Sequence, residues 1–191
     1  MRRFLTAAVM GATLALTGGG ALAAELGDDG LHKAPWMHET FKDLREDLEE
    51  AGTQGKRLLV IVEQRGCIYC TKMHEEVFPQ PEIADLLNEK FFVVQMNMFG
   101  DVAVTDLDGE ELSEKEAVAK WGMLFTPSMM FLPEDAPEGL PANRAAVAVM
   151  PGAFGKYTTF NLLNWVLEHG YDGDEPFQKY HARMLQDQLP Q

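Results

Sequence analysis

The spacing of apolar residues predicts a helix and then a strand in the first third of the chain. Between residues 36 and 50 the apolar positions recur at helical spacing, which predicts an N-terminal amphipathic helix that Gly52 and Gly55 end. These positions are Met37, Phe41, Leu44 and Leu48. The continuous apolar run from Leu58 to Val62 instead predicts a strand buried on both faces.

The pattern after this strand predicts two helices and a second strand. Residues 67–78 have a helical pattern, and Pro79 and Pro81 then break the helix. A second short helix is predicted from its apolar residues Ile83, Leu86 and Leu87. Residues 91–98 form the next predicted strand.

A hairpin is predicted around Asp108 and Gly109, because this dipeptide lies between the short runs 102–105 and 110–112. The acidic residues here resemble a calcium-binding loop, but Val104 and Lys115 occupy positions where such a loop needs ligands. We therefore favour the hairpin over a metal site.

The last third predicts helices that alternate with strands. Ser113 with Glu116 three residues later predicts a capping box and a helix over 114–121. The other predicted elements are a strand at 128–132, a loop at 133–143, a strand at 145–150, a helix at about 156–169 and a helical tail at about 176–189. Two parallel βα crossovers followed by antiparallel strands and a helix predict an α/β sandwich.

The first 23 residues have the pattern of a secretory signal peptide. Arg2 and Arg3 precede an apolar run that ends at Leu16, and Ala21-Leu22-Ala23 fits a cleavage site. We therefore expect an exported, periplasmic protein whose single domain spans 24–191, with its core at about 58–169.

Charge excludes one class of partner. The 191 residues include 16 basic and 30 acidic ones, for a formal charge of −14. Loss of Arg2 and Arg3 with the signal peptide leaves 14 basic residues and a charge of −16. Because nucleic-acid binding depends on clustered Lys and Arg, no nucleic-acid partner is expected.

The two cysteines, Cys67 and Cys70, are the candidate catalytic residues. A disulfide between them closes a loop too short to constrain the unfolded chain much, so reactivity explains the pair better than stability does. At the start of a helix, the Cys67 thiol would have a depressed pKa and act as the nucleophile. Cys70, one turn later, would be the resolving thiol.

The buried strand, the C-x-x-C that opens a helix, and Thr126-Pro127 before the next strand together resemble the thioredoxin superfamily. The resemblance implies a thioredoxin-like three-layer sandwich, here with an N-terminal helix, an inserted hairpin and a C-terminal helical tail. It also implies that Pro127 is a cis-proline beside the dithiol and that Thr126 offers backbone groups to a bound peptide. From the sequence alone, Pro127 could equally be the start of a strand.

Residues 63–70, Met73-His74 and the inserted hairpin are similar to exported SoxW-type thioredoxin-like proteins. This similarity implies a periplasmic thiol reductase whose partners are disulfide-containing exported proteins and a membrane thiol electron donor. Ile68 and Tyr69 between the cysteines supply no cation to over-stabilise a thiolate, which also favours a reductase over an oxidase.

Glu63 is a candidate for proton transfer, although the carboxylate of thioredoxins aligns nearer Ile61. The alternative function is a chaperone for copper or another soft metal, using Cys67, Cys70 and His74. A helical histidine at such a position is usually a surface residue, and a cis-proline against the dithiol would take the space of a metal. We therefore expect no cofactor and no metal.

Overall fold

The computed structural model describes residues 24–188, so the predicted signal peptide lies outside the described residues. The strands are β1 (Glu25–Leu26), β2 (His32–Lys33), β3 (Met37–His38), β4 (Arg57–Glu63), β5 (Phe91–Asn97), β6 (Ala103–Thr105), β7 (Glu111–Ser113), β8 (Ser128–Phe131) and β9 (Ala148–Pro151). The α-helices are α1 (Leu44–Thr53), α2 (Ile68–Lys72), α3 (Pro81–Lys90), α4 (Glu114–Lys120), α5 (Ala142–Ala145), α6 (Lys156–Leu167) and α7 (Phe177–Gln188). A π-helix (Met73–Val77) continues α2, and a 3-10 turn (Gly170–Asp172) precedes α7.

A five-stranded sheet in the order β3-β5-β4-β8-β9 forms the middle layer. β4 is buried along its whole length, runs parallel to β5 and pairs antiparallel with β8. Its register places Val62 opposite Ser128, which brings the end of β4 beside the start of β8. The functional candidates therefore lie together at the end of the sheet where β4 ends and β8 begins.

Two apolar cores fill the space on the two faces of the sheet. One core joins the sheet to residues of α1 and α4, and the other joins it to the π-helix, α3 and α6. Helices on both faces of a mixed sheet make a three-layer sandwich. The predicted fold class, including the N-terminal helix, the inserted hairpin and the C-terminal helical tail, is confirmed.

The β6–β7 hairpin and the helix that follows it also form as predicted. Val104 pairs with Leu112, and Gly109 has a φ of 84° in the turn, a conformation that glycine adopts without a Cβ clash. Ser113 and Glu116 form the predicted capping box at the start of α4.

The first half of the predicted N-terminal helix is wrong. Met37 lies in β3, Phe41 is 95% exposed, and α1 begins only at Leu44. Lys42 has a φ of 59°, which interrupts any helix, and the Asp43 carboxylate then caps α1 by accepting bonds from the amides of Arg45 and Glu46. Local capping therefore overrides the apolar spacing before residue 44.

Two further predictions need correction. The single helix predicted over 67–78 changes to a π-helix, in which the amide of Phe78 bonds to the carbonyl of Met73 five residues earlier. The predicted loop at 133–143 leads into α5, so the last strand begins at Ala148 and not at residue 145.

No helix among residues 24–188 has the length and apolar character needed to span a membrane.

Candidate functional site

Cys67 and Cys70 lie where β4 delivers the chain to α2. After β4 ends at Glu63, Gly66 turns the chain with a φ of 72° and Cys67 becomes the N-cap residue of α2. The two cysteines form a disulfide. The residue order strand, turn and helix therefore sets both sulfur atoms at the amino end of a helix.

Two donors point at the Cys67 sulfur. The amide of Cys70 lies 3.0 Å from Sγ of Cys67, and the Thr126 hydroxyl lies 3.3 Å from the same atom. Hydrogen bonds to a charged form favour that form, so both donors would stabilise a Cys67 thiolate once the disulfide is reduced. The geometry suits Cys67 better than Cys70 as a nucleophile.

The surroundings of the two cysteines also differ. Cys67 is 6% exposed and lines a cleft of about 530 Å³, whereas Cys70 is fully buried and does not line it. Exposed apolar side chains surround the opening: Ile68, Tyr69, Leu124 and Phe125. A partner would therefore reach the Cys67 sulfur first, over an uncharged rim.

Thr126 and Pro127 are placed beside the dithiol. The peptide bond between them is cis, and β8 begins at the next residue. The carbonyl of Pro127 accepts a bond from the amide of Gly152 (2.8 Å). Within residues 24–188, neither backbone polar group of Thr126 takes part in a hydrogen bond. These groups are therefore available to an extended peptide in the cleft.

Glu63 is fully buried at the end of β4. Burial by itself would raise the pKa of its carboxyl, but the neighbouring His32 and His74 outweigh that effect and lower the pKa to about 2. Glu63 therefore remains ionised at neutral pH. Its proposed part in proton transfer remains a prediction.

The predicted surface position of His74 is wrong. The π-helix turns its side chain inward, where it is 3% exposed and its Nε2 lies 2.8 Å from Oε1 of Glu63. His32, on the short strand β2, stacks on the ring of His74. The structure therefore brings His74 to Glu63, a pairing that the sequence does not predict.

Sequence reasoning missed His32 and Gln95. Gln95 is a polar residue inside the apolar run of β5, and its Nε2 donates to Glu63 Oε2 at 2.8 Å. That interruption was a usable signal for a buried polar partner. No signal marked His32, because it lies on a two-residue strand in a segment without periodicity.

One group of side chains in the described part of the chain has the spacing of metal ligands. It consists of His32, Glu63 and His74, with one ligand atom from each within 4.8 Å of the others. Neither cysteine belongs to it. The alternative soft-metal site on Cys67, Cys70 and His74 therefore gains no support from where His74 lies.

Comparison with known proteins agrees with this fold. The chain is similar to a thioredoxin-fold protein from Helicobacter pylori at 14% identity and a TM-score of 0.53, covering 68% of this chain and 80% of that one. It is also similar to a thioredoxin from Thermus thermophilus at 20% identity and a TM-score of 0.50, covering 65% and 84%. The search of curated proteins found no match.

A family model described as the thioredoxin-like domain matches residues 44–144, which are 101 of the 191 residues. The matched segment includes β4, the dithiol, β5 and β8, the elements that build the site. The chain therefore belongs to the thioredoxin-like domain family.

Proposed function

We propose that this protein is an exported thiol-disulfide oxidoreductase that reduces disulfides in other proteins. The observation that carries the proposal is the asymmetry of the dithiol. Cys67 lines the cleft and receives two hydrogen bonds at its sulfur, whereas Cys70 is fully buried behind it. A nucleophile and a resolving thiol require this division.

The reaction proceeds by two exchanges. The Cys67 thiolate attacks one sulfur of a substrate disulfide, forming a mixed disulfide and releasing the other substrate sulfur as a thiolate that takes a proton from water. Cys70, after losing its own proton, attacks Sγ of Cys67 and releases the second substrate thiolate. The dithiol thereby gives two electrons to the substrate and ends as the Cys67–Cys70 disulfide.

The cleft suits an extended peptide around the substrate disulfide. The free backbone groups of Thr126 can pair with such a peptide, and the apolar rim can cover its side chains. Disulfide-containing exported proteins are the substrate class that we propose.

Direction and location rest on the sequence. Ile68 and Tyr69 place no cation between the cysteines, which favours a reducing protein. The N-terminal pattern of residues 1–23 and the similarity to SoxW-type proteins favour export to the periplasm. A reductase in that compartment needs a source of electrons, and we propose a membrane thiol donor.

Insulin reduction with dithiothreitol as electron source tests the activity. We expect turnover by the wild type and its loss in Cys67→Ser, whose fold should be intact because serine is nearly isosteric with cysteine. The reduction potential of the dithiol then tests the direction. It should lie nearer roughly −270 mV than roughly −120 mV, the values of thioredoxin and of a strongly oxidising periplasmic protein. A potential near the second value would contradict the reductase assignment.

A further inference from the structure

Three buried side chains meet behind the active-site helix. Two of them are histidines, and the proposed thiol chemistry uses neither. Glu63 comes from the end of β4, His32 from β2 and His74 from the π-helix. Their exposed fractions are 0%, 7% and 3%. Because π-helical turns are rare and frequently occur at functional sites, the turn that directs His74 inward itself indicates a functional site.

The two imidazoles face the two oxygens of one carboxylate. His74 Nε2 lies 2.8 Å from Oε1 of Glu63, and His32 Nδ1 lies 3.6 Å from Oε2. The rings stack with their centroids 4.3 Å apart. A carboxylate between two imidazoles is a ligand set that zinc uses in proteins.

Thr71 contacts the other ring nitrogen of His32. Its hydroxyl lies 3.3 Å from Nε2 of His32 and 3.3 Å from the carbonyl oxygen of Cys67. Nδ1 of His32 faces Oε2 of Glu63 at 3.6 Å, which is longer than a normal hydrogen bond. The gap between these two potential ligand atoms is therefore wider than direct hydrogen bonding would make it.

A carboxylate that is fully buried needs close compensating partners, since burying an unpaired charge is unfavourable. A divalent ion bound to Glu63 and to both imidazoles would supply the compensating positive charge.

The surrounding hydrogen bonds match those that hold metal ligands in place. A metal-bound histidine usually directs its other nitrogen to an oxygen atom, and Nε2 of His32 lies 3.3 Å from the Thr71 hydroxyl. A metal-bound carboxylate is usually hydrogen-bonded as well, as Glu63 is to Gln95 at 2.8 Å. The contacts that would orient two of the three metal ligands are therefore already present.

We propose that His32, Glu63 and His74 bind a divalent transition-metal ion, for which zinc is the best match. Tetrahedral bonds of about 2.0–2.1 Å place ligand atoms roughly 3.3 Å apart. The 3.6 Å separation of His32 and Glu63 is close to that value, and the 2.8 Å separation of His74 and Glu63 has to lengthen by about half an ångström. The imidazoles also have to turn out of their stacked arrangement so that both lone pairs meet the ion.

This site is separate from the dithiol and would connect three elements. The ion would link the N-terminal β1–β2 hairpin to the end of β4 and to the helix that carries both cysteines. Ligand binding to the folded state alone stabilises it, so zinc should raise the thermal midpoint of unfolding.

Zinc binding by the oxidised protein tests the proposal, because the Cys67–Cys70 disulfide removes both thiolates as ligands. We expect one Zn²⁺ per chain by elemental analysis after dialysis, and a rise in the thermal midpoint. Glu63→Gln and His74→Gln should each weaken binding at least tenfold. His181→Gln is the matched control, since His181 lies on α7 and bonds to Asn161, outside the cluster.

Circular dichroism checks that each variant is folded, and His32→Gln provides a variant on the N-terminal hairpin, outside the main sheet. X-ray absorption at the zinc edge of the wild type needs no variant and should show only nitrogen and oxygen ligands at about 2.0–2.1 Å. The proposal is overturned by a wild type that retains no zinc, by sulfur in the zinc shell, or by undiminished binding in folded Glu63→Gln. Because the disulfide form is used, none of these outcomes depends on whether the protein reduces insulin.

Discussion

Asp47 and Glu63 are both buried carboxylates, yet their pKa values move in opposite directions. Burial raises the pKa of Asp47 to about 7. A single hydrogen bond from Thr40 does not offset burial, and the neighbouring acidic residues raise the pKa further by repulsion. For Glu63, the two neighbouring histidines more than offset burial and hold the pKa at about 2. At the scale of single residues, the partners of a buried acid decide its charge.

Asp47→Asn should stabilise the protein increasingly as pH rises. The folded protein holds the Asp47 proton up to about pH 7, whereas the unfolded chain loses it near pH 3.8, so the stability that this proton contributes disappears as pH rises through 7. Asparagine can keep the bond from Thr40 and never ionises. Relative to wild type, the gain at pH 8 should be on the order of 2 kcal/mol, about half of the unscreened value for such a shift.

Urea unfolding of both proteins at pH 5 and pH 8 measures this gain. Glu49→Gln, on the exposed side of the same helix, is the control and should change stability equally at both pH values. If the advantage of Asp47→Asn is the same at pH 5 and pH 8, Asp47 does not hold its proton in the folded state.

At the scale of elements, boundaries depend on backbone conformations that apolar spacing does not encode. Because Lys42 interrupts the helix and Asp43 caps it, α1 begins at Leu44, seven residues after Met37, the first apolar position of the predicted helix. The π-helix includes a hydrogen bond from the amide of Phe78 to the carbonyl of Met73, a shift to five residues that the sequence does not mark. By contrast, Asp108-Gly109 and Ser113 with Glu116 are local signals that predict their elements correctly.

Two glycines allow these backbone requirements to be measured. A Cβ at Gly52 in α1 or at Gly109 in the hairpin turn would contact nothing within 4 Å, but only Gly109 has a positive φ, of 84°. Gly52→Ala should therefore stabilise the protein by about 0.5–1 kcal/mol, because alanine loses less entropy in a helix. Gly109→Ala should destabilise it by about 1–2 kcal/mol.

Chemical denaturation at neutral pH gives both values, and each glycine serves as the control for the other. Effects of the same sign would show that backbone conformation is not what distinguishes the two positions.

At the scale of the whole molecule, sequence order predicts the fold better than it predicts the site. The alternation of apolar runs and helical patterns is enough for the three-layer sandwich, because it leaves few arrangements of parallel crossovers. The dithiol can also be predicted from the sequence, since both cysteines lie within one helical turn. The His32, Glu63 and His74 cluster is not, because its residues are 31 and 11 positions apart and meet only through tertiary packing.

The proposed function requires that Cys67 attacks the substrate disulfide and that Cys70 resolves the mixed disulfide. The most direct test is to incubate Cys70→Ser and Cys67→Ser with a disulfide-containing protein and to measure mixed disulfides by intact mass. Cys70→Ser should accumulate a reductant-sensitive adduct, because the cleft gives its remaining thiol access to the substrate, whereas Cys67→Ser, whose thiol is fully buried, should trap little. Equal trapping by the two variants, or none by either, would contradict this division of roles between the two thiols.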